Sequence, residues 1–401
     1  MNQNWENLLQ EAEAFQEEMI ENRRQLHRHP EVEFDLKQTV PFVMEKLTEM
    51  GYQPERCGRA GVIATIGKGG KTFLLRGDMD ALPIVEDTGL PFSSTNDKMH
   101  ACGHDMHTTM LLGAAKLLKA HEKEIKGTVK LMFQPAEEVM LGADDMIKAG
   151  ALENPHVDAG SMIHVFPGFQ IADGTVIISD LGKTMASCDW FEIHVHGKNG
   201  HGSTPERALD PLIPAANILL SLMEIQAREL PADALVALTV GEFHSGNTSN
   251  VIPEHAVLKG TLRTYNDEMR VEIRERMKQI VELISETYRC QGEVLFLAGA
   301  PTLTNDEALV AHAQKVIPHL VGEEKTVLLS EVPRMSVIMG SEDFSYVSHE
   351  VPTVTFWLGA ADSRHQEAYP VHHPKVVFNE AIMPYGVATH VGMALSWLAE
   401  N

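Results

Sequence analysis

The spacing of apolar residues divides the chain into two patterns, and the first consists of short apolar runs separated by amphipathic segments. Apolar runs predict strands at residues 71–77, 127–134 and 159–166, and helical spacing predicts a helix at residues 108–122. Strands that alternate with helices in this way form a largely parallel sheet. We therefore predict an α/β domain with a mainly parallel sheet, in which functional groups gather beyond the carboxyl ends of the strands.

The second pattern occupies residues 185–298 and follows the order βαββαβ. The predicted elements are strands at residues 190–197, 234–244, 255–265 and 292–299, and helices at residues 210–230 and 268–288. This order is typical of a ferredoxin-like sheet with two helices on one face. Because the first pattern resumes near residue 351, the α/β domain is predicted to be discontinuous, with residues 1–184 and 299–401 on either side of an inserted α+β domain.

Composition narrows the range of partners and locations. The chain has 401 residues, of which 44% are hydrophobic and 22% charged, as expected of a globular protein with more than one domain. Its formal charge of -23 argues against nucleic acid or an anionic membrane surface as a partner. Neither a signal peptide nor an apolar segment of about 18 residues is visible. Four scattered cysteines favour a reducing compartment, so we expect a cytoplasmic protein.

Acidic, imidazole and thiol side chains lie at the ends of the predicted strands or in the loops that follow them. They are Asp78 and Asp80 in RGDMDALP, Cys102, His104 and Asp105 in HACGHD, Glu137 and Glu138 in FQPAEE, and His164 in MIHVFPG. Each has an ordinary structural explanation by itself, such as a turn cap, a buried thiol, a helix start or a core histidine. As a set they favour a metal site, because adjacent carboxylates repel one another unless a cation or a proton offsets them.

A metal site also explains the types of residue in this set. A Cys-x-His pair with separate Glu and His residues supplies the sulfur, nitrogen and oxygen ligands that suit zinc or a similar transition ion. Of two adjacent glutamates, one can bind the metal while the other takes a proton from metal-bound water. The residues alone also allow two other classes of protein. One is a metal-free thiol hydrolase with Cys102 as nucleophile and His104 as base, and the other is a non-catalytic binding protein.

Longer motifs connect these residues to a known family. Between Arg23 and Gly386 the chain contains, in this order, RRQLHRHPE, LLRGDMDALP, MHACGHDMHTTMLLGAA, LMFQPAEE, GKNGHGSTPERALDP, GNTSNVIPEHAVLKGTLR, GSEDF and VHHPKVVFNEAIMPYG. These motifs closely resemble the di-metal amidohydrolases and peptidases of the aminoacylase and carboxypeptidase superfamily. The similar branch contains hippurate hydrolases, N-acyl-L-amino-acid amidohydrolases and indole-acetyl-amino-acid hydrolases.

The resemblance implies an activity and its cofactors. The implied reaction is metal-dependent hydrolysis of the amide bond of N-acyl amino acids, with release of a carboxylic acid and a free amino acid. Deacetylation of N-acetyl-diaminopimelate or N-acetyl-cysteine, and dipeptidase-like or carboxypeptidase-like activity, are alternatives in the same reaction class. The implied cofactors are two divalent metal ions per subunit. Zinc or manganese is expected, and cobalt or nickel is an alternative.

The same resemblance implies roles for individual residues of the α/β domain. The implied metal ligands are Cys102, His104, Glu138, His164 and His372, with His373 as an alternative to His372. Glu137 is the implied general base and proton shuttle. Asp78 and Asp80 stand where more distant relatives have a His-x-Asp motif, and they are expected to orient the ligands.

For the inserted domain, the resemblance implies a lid and a dimerisation surface, so a homodimer or a higher homo-oligomer is expected. His201 matches the histidine that stabilises the oxyanion, in its own subunit or in a partner subunit. Asn250 and Arg263 match positions that hold the substrate carboxylate, to which a guanidinium offers paired hydrogen bonds. A loop histidine and a surface arginine are the structural alternatives for His201 and Arg263.

Overall fold

The structure is a computed structural model that describes residue 5 and residues 7–168, 171–333, 337–362 and 369–401. The chain forms two compact units. The first consists of Met1–Thr184, Thr304–Val337 and Asp343–Asn401, and the second of Met185–Leu303 and Ile338–Glu342. The end predicted for the insertion, residue 298, lies inside the last strand of the second unit, which continues to Ala300.

Helices and strands alternate along much of the described chain. The helices are α1 (Leu8–Glu13), α2 (Gln16–Arg28), α3 (Thr39–Glu49), α4 (His104–Ala120), α5 (Gly142–Lys148), α6 (Leu212–Glu224), α7 (Asp267–Thr287), α8 (Glu307–Val321), α9 (Ser345–Glu350) and α10 (Met383–Glu400). None of these helices is both long enough and apolar enough to span a membrane.

The strands are β1 (Glu55–Cys57), β2 (Gly61–Gly67), β3 (Thr72–Asp78), β4 (Thr128–Gln134), β5 (Ala159–Phe166), β6 (Val176–Ile178), β7 (Gly182–Met185), β8 (Ser187–His196), β9 (Gly200–His201), β10 (Val236–Ser245), β11 (Val251–Ile252), β12 (His255–Thr264), β13 (Gln291–Ala300), β14 (Leu303–Asn305), β15 (Thr326–Leu328) and β16 (Thr353–Gly359). The two short strands β7 and β14 pair with each other, as do β9 and β11.

The first unit contains an eight-stranded sheet with the strand order β1-β2-β4-β3-β5-β16-β6-β15. The neighbours β4 and β3, β3 and β5, and β5 and β16 are parallel, and so are β6 and β15. β2 is antiparallel to both of its neighbours, β1 and β4, and β6 is antiparallel to β16. The predicted mainly parallel sheet is therefore confirmed, with antiparallel pairings added towards both edges.

Continuous apolar runs explain the central strands of this sheet. Every residue of β3 and β4 is buried, as is usual for strands that are covered on both faces. Leu111 of α4 and Val391 of α10 belong to one apolar core with Phe73 of β3. The helix α4 begins at His104, earlier than the start predicted at residue 108, so the Cys-Gly-His motif lies at its N-terminus.

The second unit is built around a four-stranded antiparallel sheet with the strand order β10-β12-β8-β13. The helices α6 and α7 cover one face, where Ile218 and Met277 pack with Ile193 in a separate apolar core. On β8 the buried residues alternate with more exposed ones, which lie on the other face. The predicted ferredoxin-like fold class of the insertion is confirmed.

A buried lysine ties the central sheet to the loop before β5. The Nζ atom of Lys130, on β4, donates hydrogen bonds to the main-chain oxygens of Ala151, Glu153 and Pro155 at 3.0, 2.8 and 2.8 Å. Lys130 is fully buried, and burial lowers the pKa of its ammonium group. The three carbonyl acceptors replace the water that the ammonium group loses, so they stabilise its charge inside the protein.

Replacing this lysine by a nonpolar side chain of similar length should destabilise the first unit. Lys130→Met leaves three carbonyl groups without their donor, and we expect it to lower the free energy of unfolding by about 2–4 kcal/mol. Urea titration followed by circular dichroism measures this change. Lys148→Met is the matched control, because Lys148 is exposed and its ion pair with Asp144 lies at the surface. A Lys130→Met protein as stable as the control would contradict this role.

Candidate metal centre

The ends of three neighbouring strands bring predicted site residues of the first unit together. Asp78 is the last residue of β3, and Glu137 and Glu138 follow the end of β4. His164 lies near the end of β5, and His104 is the first residue of α4. Because β3 lies between β4 and β5 in the sheet, these segments converge at one edge.

Gly103, between Cys102 and His104, occupies a position that requires glycine. Its φ angle is +85°, in the left-handed region that other residues rarely adopt. A Cβ atom at Gly103 would lie 2.3 Å from Cγ2 of Val165. The glycine therefore lets the turn that carries Cys102 and His104 pack against β5.

Asp80 connects both glutamates to His104. Its carboxylate oxygens accept hydrogen bonds from the main-chain N–H groups of Glu137 and Glu138, at 3.1 and 3.2 Å. Its main-chain oxygen lies 2.9 Å from Nδ1 of His104, so Nδ1 donates and Nε2 is the nitrogen that can bind a metal ion once it has no proton. Asp80 is fully buried, and these contacts therefore hold without competition from water.

Two further histidines approach the thiol of Cys102. Nε2 of His164 lies 3.4 Å from Sγ, and Nδ1 of the same ring donates to the main-chain oxygen of Val165 at 2.7 Å. Nε2 of His372 lies 3.3 Å from Sγ of Cys102 and 3.4 Å from Oε2 of Glu138. The structure thus brings all the predicted ligands of the first unit into one cluster.

Two buried atoms of this cluster have no hydrogen-bond partner among the described residues, and both are good metal ligands. They are Nε2 of His104 and Oε1 of Glu138, which are 3.9 Å apart. Burial, with the carboxylates of Asp80 and Asp78, raises the pKa of Glu138 to about 8, although His104 opposes the shift. A buried polar atom without a partner costs roughly 1–3 kcal/mol. A divalent cation would satisfy both atoms and replace the proton on Glu138, so these residues fit a metal ion.

The ligand atoms form overlapping groups, in each of which the atoms lie within 4.8 Å of one another. Three of these groups are Cys102 with His104 and His164, Cys102 with Glu138 and His372, and His104 with Glu137 and Glu138. Cys102 belongs to two of the three, with different partners in each. The cluster therefore offers more ligand atoms than one four-coordinate ion needs.

His107 and Asp78 lie directly behind the candidate ligands. Nδ1 of His107 lies 2.6 Å from Oδ1 of Asp78, and its Nε2 accepts a hydrogen bond from the main-chain N–H of Val165 at 2.8 Å. Burial lowers the pKa of His107 despite the Asp78 carboxylate, so one neutral tautomer satisfies both contacts. The sequence prediction did not include His107, although its place one helical turn after His104 is a signal that could have identified it.

A buried arginine compensates the charge of Asp78. Nη1 of Arg76 lies 2.5 Å from Oδ2 of Asp78, and its Nη2 lies 3.3 Å from Oδ1 of Asp343. Although burial opposes ionisation, Arg76 holds the pKa of Asp78 well below its ordinary value. Asp343 also accepts hydrogen bonds from Nε2 of Gln134 at 2.6 Å and from the N–H of Ala143 at 2.9 Å. The GSEDF motif therefore supplies a carboxylate that holds Arg76 in place.

Asp105 attaches the start of α4 to α2. Nε of Arg23 lies 2.6 Å from Oδ2 of Asp105, and Nδ1 of His27 lies 2.8 Å from the same oxygen. Nη1 of Arg23 also reaches Oε1 of Glu380 at 3.2 Å. The motifs RRQLHRHPE and HACGHD are thereby joined in a buried ion network, which fixes the helix that carries His104.

The structure distinguishes between the two histidines of the VHHP motif. His372 reaches the cluster from a backbone position with φ +64°, and its N–H donates to the main-chain oxygen of Ala101 at 2.9 Å. The ring of His373 instead stacks on Tyr369, with ring centroids 4.3 Å apart. Of the two, His372 is the one placed to act as a ligand.

His201 lies on the two-stranded ladder of β9 and β11 in the second unit, and Asn250 directly precedes β11. His201 pairs with Val251 across β9 and β11, and the N–H of Gly202 donates to the main-chain oxygen of Asn250 at 2.8 Å. Both side chains are exposed. Nδ1 of His201 accepts a hydrogen bond from the N–H of Ser203 at 3.1 Å, so Nε2 carries the proton of the neutral ring.

Arg263 lies on β12 of the same unit and is partly buried. Its Nη1 donates to the main-chain oxygen of Met339 at 3.1 Å and to Oγ of Ser341 at 2.8 Å. A guanidinium held by two contacts is a rigid cation rather than a mobile surface side chain. The orientation of Arg263 is therefore fixed within its own unit.

A mainly parallel sheet with sulfur, nitrogen and oxygen ligands at its strand ends is typical of a metal-dependent hydrolase. The chain belongs to the family described as Peptidase family M20/M25/M40, which matches residues 74–396. This finding confirms the family that the motifs resemble and the prediction that the protein is an enzyme of the hydrolase class.

Named relatives align with most of the chain. An IAA-amino acid hydrolase of Arabidopsis thaliana is 36% identical over 390 residues, which cover 95% of this chain and 86% of that protein. An N-acetyl-L-cysteine deacetylase of Bacillus subtilis is 36% identical over 371 residues, or 92% of this chain and 85% of that protein. A solved dinuclear metal-binding peptidase of the M20 family from Bacillus subtilis has a TM-score of 0.77 and 31% identity, and covers 96% of this chain and 99% of its own.

A side chain at Gly103 should disrupt the cluster. Gly103→Ala places a Cβ atom against Val165 at a left-handed φ, so Cys102 and His104 must move. We expect loss of most of the bound metal, measured by inductively coupled plasma mass spectrometry after gel filtration. Gly150→Ala is the matched control, because Gly150 has φ +93° and no atom within 4 Å of the position of a Cβ atom. Equal metal contents in the two variants would show that this turn does not position the ligands.

Proposed function

We propose that this protein hydrolyses the amide bond of N-acyl amino acids and releases a carboxylic acid and a free amino acid. One observation carries the proposal: the carboxylate of Glu137 lies beside a cluster of metal-ligand side chains at the ends of the central strands. Relatives named as an IAA-amino acid hydrolase and an N-acetyl-L-cysteine deacetylase support this class of substrate.

In this proposal the cluster holds two divalent metal ions. The proposed ligands are Cys102, His104, Glu138, His164 and His372. The solved relative described as a dinuclear metal-binding peptidase supports the number of ions. When bound, such ions polarise an amide carbonyl and lower the pKa of water. The mixed sulfur, nitrogen and oxygen ligands suit zinc, and manganese, cobalt and nickel are compatible with them.

Glu137 is the proposed general base. Its side chain is buried, and its Oε2 lies 3.8 Å from Nε2 of His104. The contact with Asp80 fixes its main chain, while the neighbouring Glu138 approaches His372. In the proposed reaction Glu137 takes a proton from the attacking water and then gives it to the leaving amine.

The second unit supplies the proposed contacts to the substrate. Arg263 binds the carboxylate of the amino acid through paired hydrogen bonds, which gives an acidic protein a local cation for an anionic substrate. Asn250 binds the same carboxylate, and His201 donates from Nε2 to the developing oxyanion. The fixed guanidinium of Arg263 and the hydrogen bond at Nδ1 of His201 support these roles.

A metal-free thiol hydrolase is the alternative from a different class, and the surroundings of Cys102 do not support it. Burial and the nearby Glu138 carboxylate raise the pKa of the Cys102 thiol well above its ordinary value. A nucleophilic cysteine needs the opposite shift, because the thiolate is the reactive form. This alternative also leaves Glu137 and Glu138 without a function.

The proposal includes self-association through the second unit and a cytoplasmic location. Leu220 of α6 and Val271 and Leu283 of α7 have exposed fractions of 68%, 60% and 59%. Exposed apolar side chains on neighbouring helices are typical of an association surface, here one between copies of this chain. All four cysteines are free thiols, which supports a reducing compartment.

Glu137→Gln should separate metal binding from turnover. The amide has the same size but cannot take the proton, so we expect unchanged metal content and amino acid release that is slower by about 10²–10⁴-fold. Cys102→Ala is the comparison variant, and we expect it to lose metal and activity together. Amino acid release and metal content are measured on the same samples. A near-normal rate for Glu137→Gln would remove the proposed base.

Arg263→Ala should weaken binding of substrates that carry a free carboxylate. Loss of hydrogen bonds to a charged group, worth about 1.5–3 kcal/mol, raises KM by about tenfold or more, with a smaller change in kcat. The control substrate is the same N-acyl amino acid with its carboxylate converted to an amide. If both substrates lose the same factor in kcat/KM, the proposed contact is wrong.

A further inference from the structure

A second group of histidines lies on the sheet of the second unit, on the face opposite α6 and α7. His194 and His196 are alternate residues of β8, and His255 of β12 lies directly opposite His196. The three rings are nearly parallel, with centroids between 4.7 and 6.2 Å apart. We call these three residues the histidine cluster.

The ring nitrogens of the histidine cluster have the spacing of metal ligands. One nitrogen of each ring lies within 4.8 Å of the other two. Nδ1 of His194 and Nε2 of His255 are 3.1 Å apart. Two nitrogen ligands of a tetrahedral zinc ion, each about 2.0–2.1 Å from the metal, lie roughly 3.3 Å from each other. Little movement is therefore needed for these two rings to share one ion.

A carboxylate selects the tautomer of His194 that metal binding requires. Nε2 of His194 lies 2.9 Å from Oε2 of Glu192, and Nε2 of His196 lies 3.5 Å from Oε1 of Glu293. A carboxylate that accepts the Nε2 proton leaves Nδ1 with its lone pair, and in His194 this is the atom that faces His255.

We propose that the histidine cluster binds one divalent transition ion, with water completing the coordination. Three imidazoles suit zinc, copper or nickel, whereas magnesium and calcium prefer oxygen ligands. The bound ion links β8 to β12 and stabilises the antiparallel sheet. This site shares no residue with the cluster around Cys102, and it does not depend on the proposed hydrolase reaction.

The test compares zinc binding by the full-length protein and by a triple variant, His194→Gln with His196→Gln and His255→Gln. Each protein is dialysed against micromolar Zn²⁺, and its metal content is measured by inductively coupled plasma mass spectrometry. We expect the unchanged protein to hold one more zinc ion per chain than the triple variant. Equal zinc contents in these two proteins would overturn the proposal.

His244→Gln is the matched control for this experiment. His244 lies on the neighbouring strand β10 and pairs with Glu242, outside the histidine cluster. We expect this variant to keep the full zinc content. A loss of one zinc ion in His244→Gln as well would overturn the assignment of the ion to the three named residues.

Chemical labelling of the unchanged protein gives a second readout that needs no substitution. Zn²⁺ should protect His194, His196 and His255 from diethyl pyrocarbonate, as mapped by mass spectrometry, and should leave His244 unprotected. Equal labelling of the cluster with and without zinc would overturn the proposal even if the triple variant failed to fold. Amide hydrolysis enters neither readout, so both results are independent of the proposed function.

Discussion

The hydrogen bonds of Asp80 determine where the groups of the candidate metal centre lie. Its carboxylate holds the main chain at Glu137 and Glu138, and its main-chain oxygen orients His104. Each contact is made to a main-chain N–H group or to a ring nitrogen that is not needed as a ligand. The atoms that can bind a cation therefore stay available, while their positions are fixed by a residue just beyond the end of β3.

Charge compensation is the second constraint on this centre. Asp78 is ionised against Arg76, whereas burial raises the pKa of the nearby Glu138 to about 8. Without a cation beside it, Glu138 therefore holds a proton at neutral pH. A divalent cation can replace that proton and bind the carboxylate instead, and for this reason these residues suit a metal-dependent hydrolase.

The central strands could be predicted because each is a continuous apolar run, and β3 begins and ends within one residue of the predicted strand at residues 71–77. The strand β6 could not, because its three residues are too few for a periodic pattern and it forms by pairing with its neighbours. Cys102 and His104 could be recognised as candidate ligands by their short spacing, and Glu138 by the adjacent Glu137. The supporting residues could not be recognised in this way, since Arg76 and Asp343 are 267 positions apart and meet only in the folded protein.

The most direct test combines two measurements on the same samples: amino acid release from a panel of N-acyl amino acids, and metal content. Both are made before chelation, after chelation, and after return of Zn²⁺, Mn²⁺, Co²⁺ or Ni²⁺. If Cys102 and its neighbours form a catalytic metal centre, activity disappears with the metal and returns with at least one of these ions. A protein that holds no metal and still releases amino acids at an undiminished rate would contradict this conclusion.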